Sequence, residues 1–95
     1  MVMSEYFTLE TEPTNDPDVL EIITNEVLTE DDEEVYLDPD EGDEGSPIAQ
    51  TLFSSIEGIV ALTIIGDTLI VTRDPDVPWE TIVDEIRDLL RDFFL

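Results

Sequence analysis

SPIAQTLFSSIEGIVALTIIGDTLIVTR, residues 46–73, decides how this chain folds. Ser46 offers an N-cap hydroxyl, and Pro47 stands at a first helical position, where a missing N–H costs nothing. Ile48, Ala49, Leu52, Phe53 and Ile56 then recur as one stripe of a 3.6-residue helix. Gly58 stands where a left-handed residue would end it. Two β-branched, apolar runs follow, Ile59 to Ile65 and Thr68 to Arg73. Gly66-Asp67 joins them, a two-residue loop of the type I′ or II′ kind. That loop sets the register: Ile65 opposes Thr68, Ile64 opposes Leu69, Leu62 opposes Val71 and Val60 opposes Arg73. Opposed residues share a face. Val60, Leu62, Ile64, Leu69 and Val71 are therefore expected to form a core face. Ala61, Thr63, Ile65, Thr68, Ile70 and Thr72 form a second, threonine-rich face.

Working outward, Asp74-Pro75-Asp76-Val77-Pro78 reads as a turn into a last helix, capped by Asp74 or Asp76 with Pro78 in the first turn. Trp79, Ile82, Val83, Ile86, Leu89, Leu90 and Phe93 make a broad apolar stripe, and Trp79, its first member, reads as a core anchor. Glu80, Asp84 and Glu85 come early on the polar side and Arg87 and Arg91 late, which suits the helix dipole. Upstream, residues 6–11 and 19–24 are β-favouring and are expected to pair as a hairpin. Between them lie Pro13 and Pro17 with Asn15 and Asp16, which is turn chemistry. Residues 25–45 are the least structured stretch: a solvated acidic loop with one short edge strand at residues 35–37. Asp38, Asp40, Asp43 and Glu44 do not fit an EF-hand, since glycine comes fifth from Asp38 and the last glutamate too early. The stretch is read as a solvated loop, and no metal site is assigned. The expected fold class is α+β: an antiparallel sheet of four to five strands with two helices packed on one face. The expected order is β-β-(short β)-α-β-β-α, in one domain over residues 1–95.

Charge is the anomaly. Twenty-six acids face three basic residues, for a formal net charge of -23. Repulsion of that size is screened at high ionic strength. Acids spread along the whole chain suggest a salt-rich cytoplasm, and the alternative is a decoy that meets a basic partner by mimicking nucleic-acid charge. Direct nucleic-acid binding is not expected, since phosphates need a basic footprint. Neither a membrane span nor a signal peptide is expected, and the chain is read as cytoplasmic and monomeric. With no cysteine and no histidine, no nucleophile–base pair can be assembled, and no enzyme activity is expected. The same absence predicts no cofactor.

The motif in residues 46–73, followed by a tryptophan opening the last helix, resembles the N-terminal domain of Nfu/NifU-type iron–sulfur cluster scaffold proteins. Ser46, Pro47, Ala49, Leu52, Phe53, Ile56 and Gly58 match the first part of the family pattern. Asp67, Val71 and Thr72 match the second, and Trp79 the last. Thr14, Pro17 and Leu20 match a family loop and strand upstream. Thr68 stands where the family often has phenylalanine, and Val83 where it often has lysine. The resemblance implies an α+β fold with two helices on one sheet face. It also implies a non-catalytic accessory module of iron–sulfur assembly, acting beside a cysteine-bearing partner, because the C-x-x-C domain of such proteins is missing here. Partner binding is expected at the family-like loop Thr14, Asn15, Asp16, Pro17 and Asp18. It is also expected on the second sheet face, at Thr63, Ile65, Thr68 and Ile70.

Overall fold

The Gly66-Asp67 loop pairs the strands as its length predicts. In the computed structural model, which describes residues 7–94, β4 (Ile59–Ile65) and β5 (Thr68–Arg73) are antiparallel, with Ile65 opposite Thr68, Ile64 opposite Leu69 and Leu62 opposite Val71. Gly66 has φ +58° and no other residue of the loop has positive φ. That is the φ pattern of a type II′ turn, which wants glycine at its first central position.

Three more strands extend this hairpin. β1 (Leu9–Pro13) pairs with β2 (Val19–Thr24), β2 with β5, and β3 (Glu34–Tyr36) with β4. The sheet is antiparallel throughout, in the order β1-β2-β5-β4-β3. α2 (Pro47–Ser55) and α3 (Trp79–Phe94) supply Ile48, Ala49, Leu52, Ile82, Ile86 and Leu90 to one buried cluster with Ile22, Leu62, Ile64, Leu69 and Val71. Ser46 caps α2 as expected, its hydroxyl accepting from the Ala49 N–H.

Several expectations are corrected. Val60 does not face the core: a bulge between Ile59 and Ala61 breaks the alternation, placing Ile59 inside at 4 % exposure and Val60 outside at 37 %. An extra residue in one strand resets which side the earlier residues take, and here the larger side chain goes in. Gly58 keeps a positive φ, but α2 already ends at Ile56, an extended C-cap residue whose side chain is buried. Burial of Ile56 stops the helix, and Gly58 turns the chain into β4. Neither Asp74 nor Asp76 is seen to cap α3. The Asp74 carboxylate accepts from the Asp76 N–H inside the preceding turn, and the Pro78 carbonyl accepts the first helical bond from Ile82. Phe93 is 45 % exposed, while Phe94 stacks on Phe7 at 6.1 Å. The stripe ends on Phe94 because successive four-residue steps from Ile82 through Ile86 and Leu90 reach it.

The first strand lies later than residues 6–11, at Leu9–Pro13, and Tyr6 lies outside the described residues. Proline is tolerated there because β1 is a sheet edge. The edge strand expected at residues 35–37 is found one position earlier. The acidic stretch 25–45 is more ordered than its composition suggests. Leu28 is buried, its N–H bonded to the Gly66 carbonyl, and α1 (Pro39–Asp43) is a short helix capped by Asp38. Gly42 makes α1 possible, since a Cβ there would lie 2.0 Å from the Phe53 ring. Patterning could not show these, because what orders them is contact with distant apolar residues.

Candidate interaction site

Two groups of residues were expected to bind a partner, and the structure puts them on different surfaces. The first is the sheet face away from the helices. Register places three rows on it: Glu10, Ile23, Thr68 and Ile65; then Glu12, Glu21, Ile70, Thr63 and Val35; then Val19, Thr72 and Ala61. Ile65 and Val35 are 43 % and 48 % exposed, and Ile23, Ile70, Thr63 and Thr68 are half-buried among their neighbours. Apolar side chains in a threonine ladder, flanked by the glutamates of β1, make an amphipathic plate. Ile23, Val19 and Val35 join the face through this pairing. Their signal was present in the alternation of residues 19–24, but only the β2–β5 pairing adds them to the hairpin's face.

The second group, residues 14–18, joins β1 to β2 at one end of the sheet and is held rigidly. The Thr14 hydroxyl lies 3.0 and 2.9 Å from the Asp16 and Val19 carbonyls, and it accepts from the Asp16 N–H. The Asp16 carboxylate accepts from the Asp18 N–H at 2.9 Å, a local aspartate turn. Arg73 then grips the loop from β5. Its N–H donates to the Asp18 carbonyl at 2.9 Å and its Nε to the Asp18 carboxylate at 3.1 Å, while a terminal nitrogen reaches the Val77 carbonyl. The guanidinium lies 5.2 Å from the Trp79 ring centre, a cation–π distance, and the indole N–H donates to the Pro17 carbonyl at 2.8 Å. Trp79 is thus the anchor expected of it, but what it anchors is this loop as much as the core. The loop leans toward the start of α3, and Ile65 and Thr68 sit at the far end of the strands. Four residues separate the row of Val19 from the row of Ile23, about 13 Å of strand.

A groove of about 870 Å³ runs between β1 and α3, lined by Leu9, Thr11 and Leu20 from the sheet and by Trp79, Val83 and Arg87 from the helix. Only the tertiary arrangement brings those residues together.

Elsewhere, the polar groups of the sheet margin are satisfied locally. Burial pushes the Glu34 carboxyl up, but hydrogen bonds from Thr29, Tyr36 and Ser46 outweigh it and hold the group below the usual glutamate range. The Tyr36 hydroxyl in turn accepts from the Ser46 N–H, so Glu34 braces the start of α2. Among the described residues no group of three or more aspartates or glutamates is arranged to hold a metal ion, and no helix is long and apolar enough to cross a membrane. Thiolate and imidazole, the side-chain donors that hold iron–sulfur clusters, are missing from the sequence. The residues present do not fit such a cluster as ligands.

An antiparallel five-stranded sheet with helices on one face, the capped α2 and the loop pinned by Trp79 define an α+β domain of the kind found at the N-terminus of iron–sulfur scaffold proteins. The family model for the N-terminal domain of the scaffold proteins Nfu and NifU matches residues 9–95, and the chain belongs to that family. Among solved structures, the solution structure of a NifU-like protein from Saccharomyces cerevisiae superposes with a TM-score of 0.79 at 28 % identity, covering 97 % of this chain and 82 % of that one. The crystal structure of protein SAV1430 from Staphylococcus aureus gives a TM-score of 0.68 at 18 % identity, covering 85 % and 94 %, and shares the fold. Among curated proteins none matches the sequence. Family membership relates the domain to iron–sulfur cluster assembly.

Proposed function

We propose that this domain is a non-catalytic interaction module of iron–sulfur cluster assembly, docking a cysteine-bearing assembly protein on the open face of its sheet. The observation that carries this reading is the contrast across β4 and β5. One face is sealed by two helices. The other presents Ile65, Ile70 and Ile23 in a threonine ladder, and among the described residues no element lies above them. The cluster would be the partner's cargo, since this chain brings neither thiolate nor imidazole to it. The loop Thr14 to Asp18, pinned to Trp79, serves as a rigid border at one end of the face.

The acidity is read as adaptation to a salt-rich cytoplasm. Exposed carboxylates occur on β1, α1, α3 and the loops between elements, which supports solvation over a decoy, since a decoy needs its charges arrayed on one face.

The experiment is the paired substitution Ile65→Asp with Ile70→Asp. Binding of a purified assembly protein carrying a C-x-x-C pair is expected to weaken at least tenfold, with little change in melting temperature. Unchanged binding would move the site off this face.

A further inference from the structure

Among the described residues the sheet carries five strands, but the buried residues of α2 and α3 converge on β2, β5 and β4, and the cover they give stops short of β1. Ile22 of β2 is fully buried, whereas Leu9 of β1 is half-buried and Thr11 is exposed. The uncovered width of one strand is the groove of about 870 Å³, with Leu9, Leu20, Trp79 and Val83 supplying apolar walls. Beside it, β1 pairs with β2 alone among the described residues, so its outer edge has backbone donors and acceptors with no described strand against them. A groove and a free strand edge along the same residues form a place for a further strand.

We propose that the groove binds an extended peptide of alternating apolar and cationic residues, which adds to β1 as a sixth strand. Strand geometry dictates that chemistry. Residues of an added strand opposite Leu9 and Thr11 face the groove and need apolar side chains. Those opposite Glu10 and Glu12 lie on the other face beside exposed carboxylates, where cations are favoured. Glu80 and Asp84 add negative charge at the helix side, and Arg87, the cation of the lining, is already bonded to Asp84 at 2.9 Å. A second copy is a poor occupant, because pairing β1 with β1 brings glutamates against glutamates. Pro13, which lacks an N–H, limits the pairing at its end.

Trp79 is the only tryptophan and lines the groove, so its fluorescence reports occupancy. The probe is an N-acetylated, C-amidated octapeptide of four Val-Lys repeats, titrated into the full chain. A saturable change in Trp79 emission is expected, weakened at least tenfold by Thr11→Arg, which fills the groove. The same peptide with every backbone nitrogen methylated is expected to bind at least tenfold more weakly. Glu10→Lys with Glu12→Lys should switch preference to a Val-Glu octapeptide, and it serves as the test if Thr11→Arg does not fold. No saturable change would overturn the proposal. So would equal binding to Thr11→Arg, or equal binding of the methylated peptide. A dimer that Thr11→Arg dissociates would assign the groove to a second copy, and the proposal would fall. Ile65 and Ile70 lie on β4 and β5, with β2 between them and the β1 edge, so Ile65→Asp with Ile70→Asp should leave peptide binding intact, and the two readings fail independently.

Discussion

The β4–β5 hairpin builds two surfaces from interleaved residues of the same two strands. On one, Leu62, Ile64, Leu69 and Val71 are at most 1 % exposed beneath two helices. On the other, Ala61, Thr63, Ile65, Thr68, Ile70 and Thr72 are half-buried or open. The residue types differ less than the environments do, since both faces hold isoleucine. What separates them is that the first face meets side chains from α2 and α3, while the second, among the described residues, meets its lateral neighbours alone. Burial, and with it the energetic weight of each methyl group, is assigned by the helices. The face with little stabilising work is the one proposed for a partner.

The largest effect should come from the sealed face. Leu69→Ala removes a side chain with no exposure and is expected to cost about 2–5 kcal/mol, read by urea unfolding. A cost below about 1 kcal/mol would mean the helices do not close over this face. Next comes Arg73, where the sealed face ends. Arg73→Met keeps the backbone bond to the Asp18 carbonyl but removes the guanidinium bonds to the Asp18 carboxylate and the Val77 carbonyl and the cation over Trp79, and it is expected to cost about 1–3 kcal/mol and to loosen the 14–18 loop. Faster amide exchange at Asp18 and Val19 would register that loosening.

Salt acts on both faces together. Raising KCl from ~0.1 to ~2 M shortens the Debye length several-fold, and the melting temperature is expected to rise by several degrees. A flat response would remove the salt-adapted reading of the charge. Glu34 has a smaller, pH-specific effect. Its folded-state pKa lies below its ordinary value, so its contribution is present above the unfolded pKa and is lost as pH falls through the folded one. Glu34→Gln should therefore destabilise most near neutral pH and converge with the parent in acid, as followed by melting scans. The open face should respond least. Ile65→Asp with Ile70→Asp is expected to shift stability by no more than about 1 kcal/mol. A large loss would show that these isoleucines do core work and that the two faces are more alike than the burial indicates.

Much of this contrast was legible in residues 46–73, because its determinants are local. Ser46-Pro47 starts a helix through its own capping chemistry, and Gly66-Asp67 allows a tight reversal through its own dihedral angles, which then sets every pair from Ala61–Thr72 to Ile65–Thr68. Val60 shows where this legibility stops. Strict alternation carries it inward, and the bulge carries it outward, because the fit of Ile59 beneath the helices outweighs regular pairing. Leu28 and Gly42 tell the same story within residues 25–45. Their order comes from the Gly66 carbonyl and the Phe53 ring, partners that no window of neighbouring sequence contains.

The candidate surfaces divide in the same way. Thr63, Ile65, Thr68 and Ile70 could be placed on one face from the hairpin alone, and Thr14 to Asp18 could be placed in a loop from their turn chemistry. That the loop would be tied to Trp79 and Arg73, away from Ile65, depends on how β2, β5 and α3 meet. The groove along β1 is invisible in sequence, since Leu9, Leu20 and Val83 belong to three separate elements. The sequence by itself determined element types, the hairpin register, the charge and the absence of thiolate and imidazole ligands, because each of these is a property of adjacent residues or of composition. Only the tertiary structure decided where the bulge falls, what orders the acidic stretch and which strand is left uncovered, because those depend on the volumes and reach of elements packed against one another.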